Sequence, residues 1–152
     1  MRALAAFVLA LLPGMAVADC TAPANLAQLR TDMAKAVNAQ RNANGRVPLG
    51  HAPRLDEAAM AHACWMAETG TFSHRGAGGS LPKRRIRATG YRTHLTAENI
   101  AWGQRTAAQV VAEWMQSPGH RKNILLGGID EYGIGIAVMQ GRLVWVMDYA
   151  AH

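Results

Sequence analysis

The feature that most constrains the fold is a change of period along the chain. Leu26, Leu29, Met33 and Val37 recur at helical spacing after Pro23, and Asn42 to Gly45 ends the pattern. A second helix is expected from Arg54 to Glu68, with Leu55, Ala58, Ala59, His62, Ala63 and Met66 on one face and Gly70 as its stop. Val47-Pro48-Leu49 between them reads as an extended connection. Leu81 to Thr89 predicts a short third helix stopped by Gly90. Thr106 is a natural N-cap for a fourth over Ala107 to Gln116, and Pro118 forbids its continuation. From Tyr132 the period falls to that of strands. Tyr132 to Met139 and Leu143 to Tyr149 are apolar and β-rich, separated by the hairpin signal Gln140-Gly141-Arg142, and Gly133 and Gly135 leave room for close backbone approach. Helices first and a hairpin last predict an α+β layered domain.

The N-terminus sets the expected compartment. Arg2, the apolar run Ala3 to Leu12, Pro13-Gly14 and the small-x-small phrase Ala16-Val17-Ala18 have the form of a secretory signal peptide over 1–18. The apolar run is shorter than the roughly 20 residues a membrane span needs. Asp19 argues against a lipid anchor on Cys20. The expected mature chain, 19–152, is one domain, periplasmic or extracellular, monomeric and without a transmembrane segment. Its two cysteines, Cys20 and Cys64, read in an oxidising compartment as one disulfide closing about 45 residues and stabilising by roughly 4 kcal/mol. A buried free thiol at Cys64 is the competing reading.

Two histidines and a glutamate stand out, each beside residues that turn the backbone: Phe72-Ser73-His74, Ala97-Glu98-Asn99-Ile100-Ala101 and Trp114 to Leu125, which carries Ser117-Pro118-Gly119-His120. Together with Val37-Asn38-Ala39-Gln40-Arg41, Pro48-Leu49, the Ala-x-x-His-Ala centre of the second helix and Gly90-Tyr91, these phrases resemble a bacterial secreted member of the CAP superfamily. That superfamily takes in cysteine-rich secretory, antigen 5 and pathogenesis-related proteins. The resemblance covers the mature chain in order and implies an α-β-α sandwich with a small antiparallel sheet between helix layers. It also implies a cleft of two histidines and two acids, in which His74, Glu98 and His120 match three members. Counted from Trp114, the position of the second acid is Ser117.

Two imidazoles are a sound start to a site for zinc or another divalent metal at His74 and His120, with Glu98 behind an imidazole or on a bound water. The same three groups also suit a hydrogen-bonded cluster that merely ties loops together. Catalysis by His74, Glu98 and His120, as in a peptidase-like hydrolase, has the residue types but no nucleophile elbow at Ser73 or Ser117. Ser117 and Asn99 are expected in the ligand cleft beside His74, Glu98 and His120, with the Asn99 amide spent on loop backbone. His94 is an outside candidate for a third metal ligand, and His62 reads as a core histidine.

The net charge of +6 is concentrated around the third helix, in Lys83, Arg84, Arg85 and Arg87, with Arg75 and Arg92 nearby. This basic rim beside the His74 loop suits anionic lipid, cell-wall polymer or acidic glycan. Lipid and sterol ligands are implied by the family resemblance. Nucleic acid is a poor match for an exported chain without interleaved aromatics.

Overall fold

A computed structural model describes residues 20–152, so the expected signal peptide over 1–18 lies outside the described residues. The elements follow in the order α1 (Leu26–Ala43), β1 (Gly50–His51), α2 (Pro53–Thr69), α3 (Pro82–Ala88), β2 (Leu95–Trp102), α4 (Ala107–Gln116), α5 (Pro118–Ile124), β3 (Glu131–Met139) and β4 (Arg142–Ala151). Gly70 ends α2 in the left-handed conformation at φ 65°, where a side chain would be strained. The Thr106 hydroxyl accepts the Gln109 N–H at the start of α4, which satisfies one of the orphan donors of a helix N-terminus.

The four strands form one mixed sheet in the order β1-β3-β4-β2. The β3-β4 hairpin turns at Gln140 (φ 51°) and Gly141 (φ 73°), both positive as the favoured two-residue hairpin turn requires. Strand β2 pairs antiparallel with β4 and places Glu98 opposite Asp148. The short β1 runs parallel to β3, so the sheet is not purely antiparallel as the resemblance implied. The expected α+β fold and its layering are otherwise present.

Alternation along β4 sorts the core. Trp145, Met147 and Tyr149 pack with Leu29, Met33 and Val37 of α1 and Val110 and Trp114 of α4. Val144 and Val146 face the other way, onto Ala59, Ala63 and Met66 of α2. The second layer is unusually close to the sheet. A Cβ built on Gly133 would lie 2.1 Å from the backbone carbon of Leu55, and one on Gly135 would lie 2.2 Å from that of Ala59. Helix α2 thus rests directly on the backbone of β3. Cys20 and Cys64 form a disulfide with Cα atoms 5.2 Å apart, which ties the chain before α1 to the outer side of α2.

Two elements depart from the sequence reading. Residues 95–102, read only as part of a motif, form a full edge strand. Pro118 ends α4 as expected but also opens α5, where it occupies the first turn and its missing N–H costs nothing. His120 therefore sits on a helix rather than in a turn.

Gly133→Ala is expected to cost about 3 kcal/mol or more, because neither facing backbone can yield. Gly119→Ala, whose Cβ meets nothing within 4 Å, is expected to stay within about 0.5 kcal/mol of wild type. Denaturant melts of the two variants check the contrast.

Candidate functional site

The site straddles the edge strand β2. Because side chains alternate along a strand, Glu98 shares the α2 side of the sheet with Ile100. Asn99 points the opposite way, toward Tyr149 and α5. His74 reaches Glu98 from the loop after α2, and His120 arrives on α5. The two imidazoles come from opposite helix layers and lie near enough to influence one another electrostatically.

His74 Nδ1 is 2.7 Å from Glu98 Oε1. With a carboxylate as acceptor the ring donates through Nδ1, which leaves Nε2 as the free nitrogen of a half-exposed side chain. The other Glu98 oxygen takes an ion pair from an Arg85 Nη2. Arg85 also donates through Nη1 to the carbonyls of Ser80, at 2.7 Å, and His74, at 3.0 Å. One guanidinium thereby fixes both the glutamate and the backbone of the histidine that the glutamate orients. Sequence reasoning placed Arg85 with Lys83, Arg84 and Arg87 on the basic rim. In the structure it turns inward, with 9% of its side chain exposed. Arg84 and Arg87 face solvent and Lys83 is half-buried, with Lys83 donating to the His94 carbonyl and Arg87 to that of Thr93.

His62, on the inner face of α2, is buried and donates through Nε2 to the Ser73 carbonyl at 2.8 Å. Its Nδ1 has no partner. Burial lowers its pKa, so the ring is neutral, packs against Trp65 and acts as a fastener for the His74 loop. The pKa of His120 is lowered as well, first by burial and then by His74, which keeps its imidazole in the neutral, ligand-competent form. Asn99 donates to the His120 carbonyl at 3.1 Å and accepts from Asn123 at 2.9 Å, so its amide does serve backbone. Ser117 joins α4 to α5 through its backbone, its carbonyl accepting the Arg121 N–H.

The functional residue that sequence reasoning missed is Asp148. It is fully buried on β4, directly across from Glu98 in register. Neither of its oxygens has a donor on a neighbouring group. Burial, and then the Glu98 charge, push its pKa well above the usual carboxylate range, with Arg85 opposing. A buried carboxyl facing a carboxylate has only its own proton to bridge the gap, so Asp148 holds that proton. A second acid is therefore present, contributed by the sheet rather than by the Ser117 position. A lone aspartate in an otherwise apolar strand run was the available signal.

Among the described residues, no group of three or more His, Cys, Asp or Glu side chains is arranged to hold a metal ion. Two imidazoles, one backed by a carboxylate, nonetheless fit the donor chemistry of a site with two protein ligands and open positions.

Residues 34–149 match the cysteine-rich secretory protein family, CAP. The chain belongs to the CAP family. It is 30% identical over 129 residues to the protein YkwD of Bacillus subtilis, a match that covers 85% of this chain and 49% of YkwD. The chain thus spans about half the length of that relative. Among solved structures, an outer surface protein of Borrelia burgdorferi superposes with a TM-score of 0.75 at 21% identity, covering 82% of this chain and 93% of the other. An extracellular protein of Bacillus anthracis containing an SCP domain gives 0.71 at 21% identity, covering 83% of this chain and 41% of the other. These likenesses establish the CAP fold. Among the described residues, no helix is long and apolar enough to cross a membrane.

A carboxyl whose folded pKa is raised costs stability as pH climbs above its unfolded value, near 3.9, because only the unfolded chain can release the proton. Asp148→Asn cannot ionise and keeps a donor toward Glu98. Its stability relative to wild type is expected to grow from pH 4 to pH 7, by at most about 1.4 kcal/mol per pH unit. Denaturant melts across that range measure it, and a difference independent of pH would contradict a proton held on Asp148.

Proposed function

We propose that this CAP protein is an extracellular binding protein whose His74 and His120 hold a divalent metal ion, with zinc the best match to two imidazoles. The observation that carries the reading is the His74–Glu98 contact at 2.7 Å. A carboxylate on the inner ring nitrogen fixes the tautomer and turns the outer nitrogen toward a ligand, the usual arrangement behind a metal-bound histidine. When bound, the ion supplies Lewis acidity and open positions for water or an anionic ligand. The protein supplies the orientation: Arg85 and Asp148 hold Glu98, Glu98 holds His74, and Asn99 holds the backbone of His120. With two protein ligands, binding is weaker than at three-ligand zinc sites.

The geometry does not favour the hydrolase alternative. Both Glu98 oxygens are engaged, one by His74 and one by Arg85, and 1% of its side chain is exposed. A general base needs a lone pair within reach of water or substrate. The Ser73 hydroxyl accepts the Arg75 N–H, as in an ordinary turn. Secretion as a single domain over 19–152 is part of the same proposal, supported by the extracellular and outer-surface descriptions of the structural relatives. An anionic envelope ligand, whether lipid or cell-wall polymer, is supported by solvent-facing Arg84 and Arg87 beside Leu81, a leucine that is 50% exposed.

Calorimetry with Zn2+ is expected to give saturable binding to residues 19–152. His74→Ala and His120→Ala should each abolish it, and Glu98→Gln should weaken it about 10- to 100-fold. Wild type that takes up no zinc, or a His120→Ala variant that binds as wild type does, would remove the metal reading. Cosedimentation with vesicles containing anionic lipid is expected to fall when Arg84 and Arg87 become Glu, and an unchanged bound fraction would count against the basic rim.

A further inference from the structure

A second cleft, of about 520 Å3, opens where β1, the start of α2, the loop after α3 and the start of β3 meet. It lies at the Leu95 end of β2, since Leu95 pairs with Ala151 and Glu131 with Ala150. Three residues of strand, roughly 10 Å, separate that end from Glu98. The zinc site described above uses none of its walls.

The polar groups of this cleft are unevenly occupied. Glu131, the one acidic side chain among the described residues that line it, is engaged through Oε2, which accepts the Tyr91 hydroxyl and lies 3.1 Å from His152 Nε2, and keeps Oε1 for a hydroxyl donor. The imidazole of His152 stacks on the Tyr91 ring with centroids 4.5 Å apart. Tyr91 is buried, and burial together with Glu131 raises its pKa, so the phenol keeps the proton it donates. His51 is bound through Nε2 to Asp56 at 2.8 Å.

The guanidinium groups remain. Arg54 spends one N–H on the Gly90 carbonyl at 2.8 Å, which anchors it across the cleft and leaves its other donors unassigned. Arg92 is exposed and makes no ion pair among the described residues. Helix α2 begins at the same wall without a side-chain cap, and the Asp56 carboxylate of its first turn is met by Arg30 and His51.

We infer that this cleft binds an oxyanion, phosphate or carboxylate, carried on a body of monosaccharide size. Arg54 and Arg92 supply forked, charged donors to the anion. A volume of about 520 Å3 far exceeds a bare phosphate and falls in the ordinary range for small organic ligands. The edges of His51 and His152 and the remaining lone pairs of Glu131 suit the hydroxyl groups of a sugar.

Calorimetry and NMR titration of residues 19–152 with four probes test this: glucose 6-phosphate, glucuronate, glucose and inorganic phosphate. At least one of the first two is expected to bind saturably, tenfold or more tighter than glucose and inorganic phosphate, and to shift the Tyr91 and His152 resonances. Which of the two binds tells whether the anion is a phosphate or a carboxylate. Replacing Arg54 and Arg92 together by Gln is expected to weaken binding at least tenfold. Replacement by Lys should retain more affinity than Gln, and His120→Ala should bind as wild type does. Any one of four results overturns the inference: no binding of either anionic sugar, equal binding of inorganic phosphate, a Gln double variant that binds like wild type, or loss in His120→Ala.

Discussion

The direct seat of α2 on β3 is the constraint from which the rest of this structure follows. Two glycines, Gly133 and Gly135, remove the side chains that would hold the helix off the sheet, and the backbones of Leu55 and Ala59 fill the space. Burying the helix this deeply brings His62 to within hydrogen-bond reach of Ser73 and so sets the height of the His74 loop above β2. The disulfide then ties the outer side of the same helix to the N-terminal segment. Flexible loops alone would not hold a half-exposed histidine in one orientation against a buried carboxylate. A helix fixed to the sheet backbone can.

On that platform charge is distributed with little slack. Glu98 and Asp148 face each other across two hydrogen-bonded strands, in a layer where an isolated carboxylate would be costly. The cost is limited in two ways: Arg85 neutralises one carboxylate, and the other stays protonated. The guanidinium does more than balance charge, because its remaining donors hold the carbonyls of His74 and Ser80. Arg41 plays a similar part on the far side of the sheet. It is buried, and it gathers the carbonyls of Val47, Ile124 and Leu126, which joins the end of α1 to the end of α5 and steadies the helix that carries His120.

Much of this was legible in the sequence. Thr106, Gly70 and the Gln140-Gly141 turn each state a local backbone requirement, and each was read correctly because such requirements do not depend on distant residues. Strand β2 was less legible, since Thr96, Glu98 and Asn99 interrupt any apolar alternation, and its polar positions are explained only by the partners that meet them. Helix α5 was hidden because Pro118 serves both as a stop for one helix and as the first residue of the next. Arg85 reads as a surface cation among Lys83, Arg84 and Arg87 until the fold shows which of the four points inward. Asp148 is the clearest case. Its role arises from the register that sets it opposite Glu98, a pairing between residues 50 positions apart that no local pattern encodes.

These placements bear on what kind of site a CAP fold makes here. A catalytic carboxylate must exchange protons with something mobile, and that requires a lone pair open to solvent or substrate. Glu98 is enclosed by a histidine, an arginine and a protonated aspartate, and every one of those contacts lowers its freedom to act as a base. The same enclosure improves it as an orienting group, since a carboxylate that cannot turn holds its imidazole in one tautomer and one direction. Moving the second acid from the helix end at Ser117 to the sheet interior at Asp148 therefore changes more than its address. An acid in the cleft would face the ligand, whereas an acid behind Glu98 faces only Glu98. What remains half-exposed beside this pair is the His74 imidazole, held from behind by Glu98.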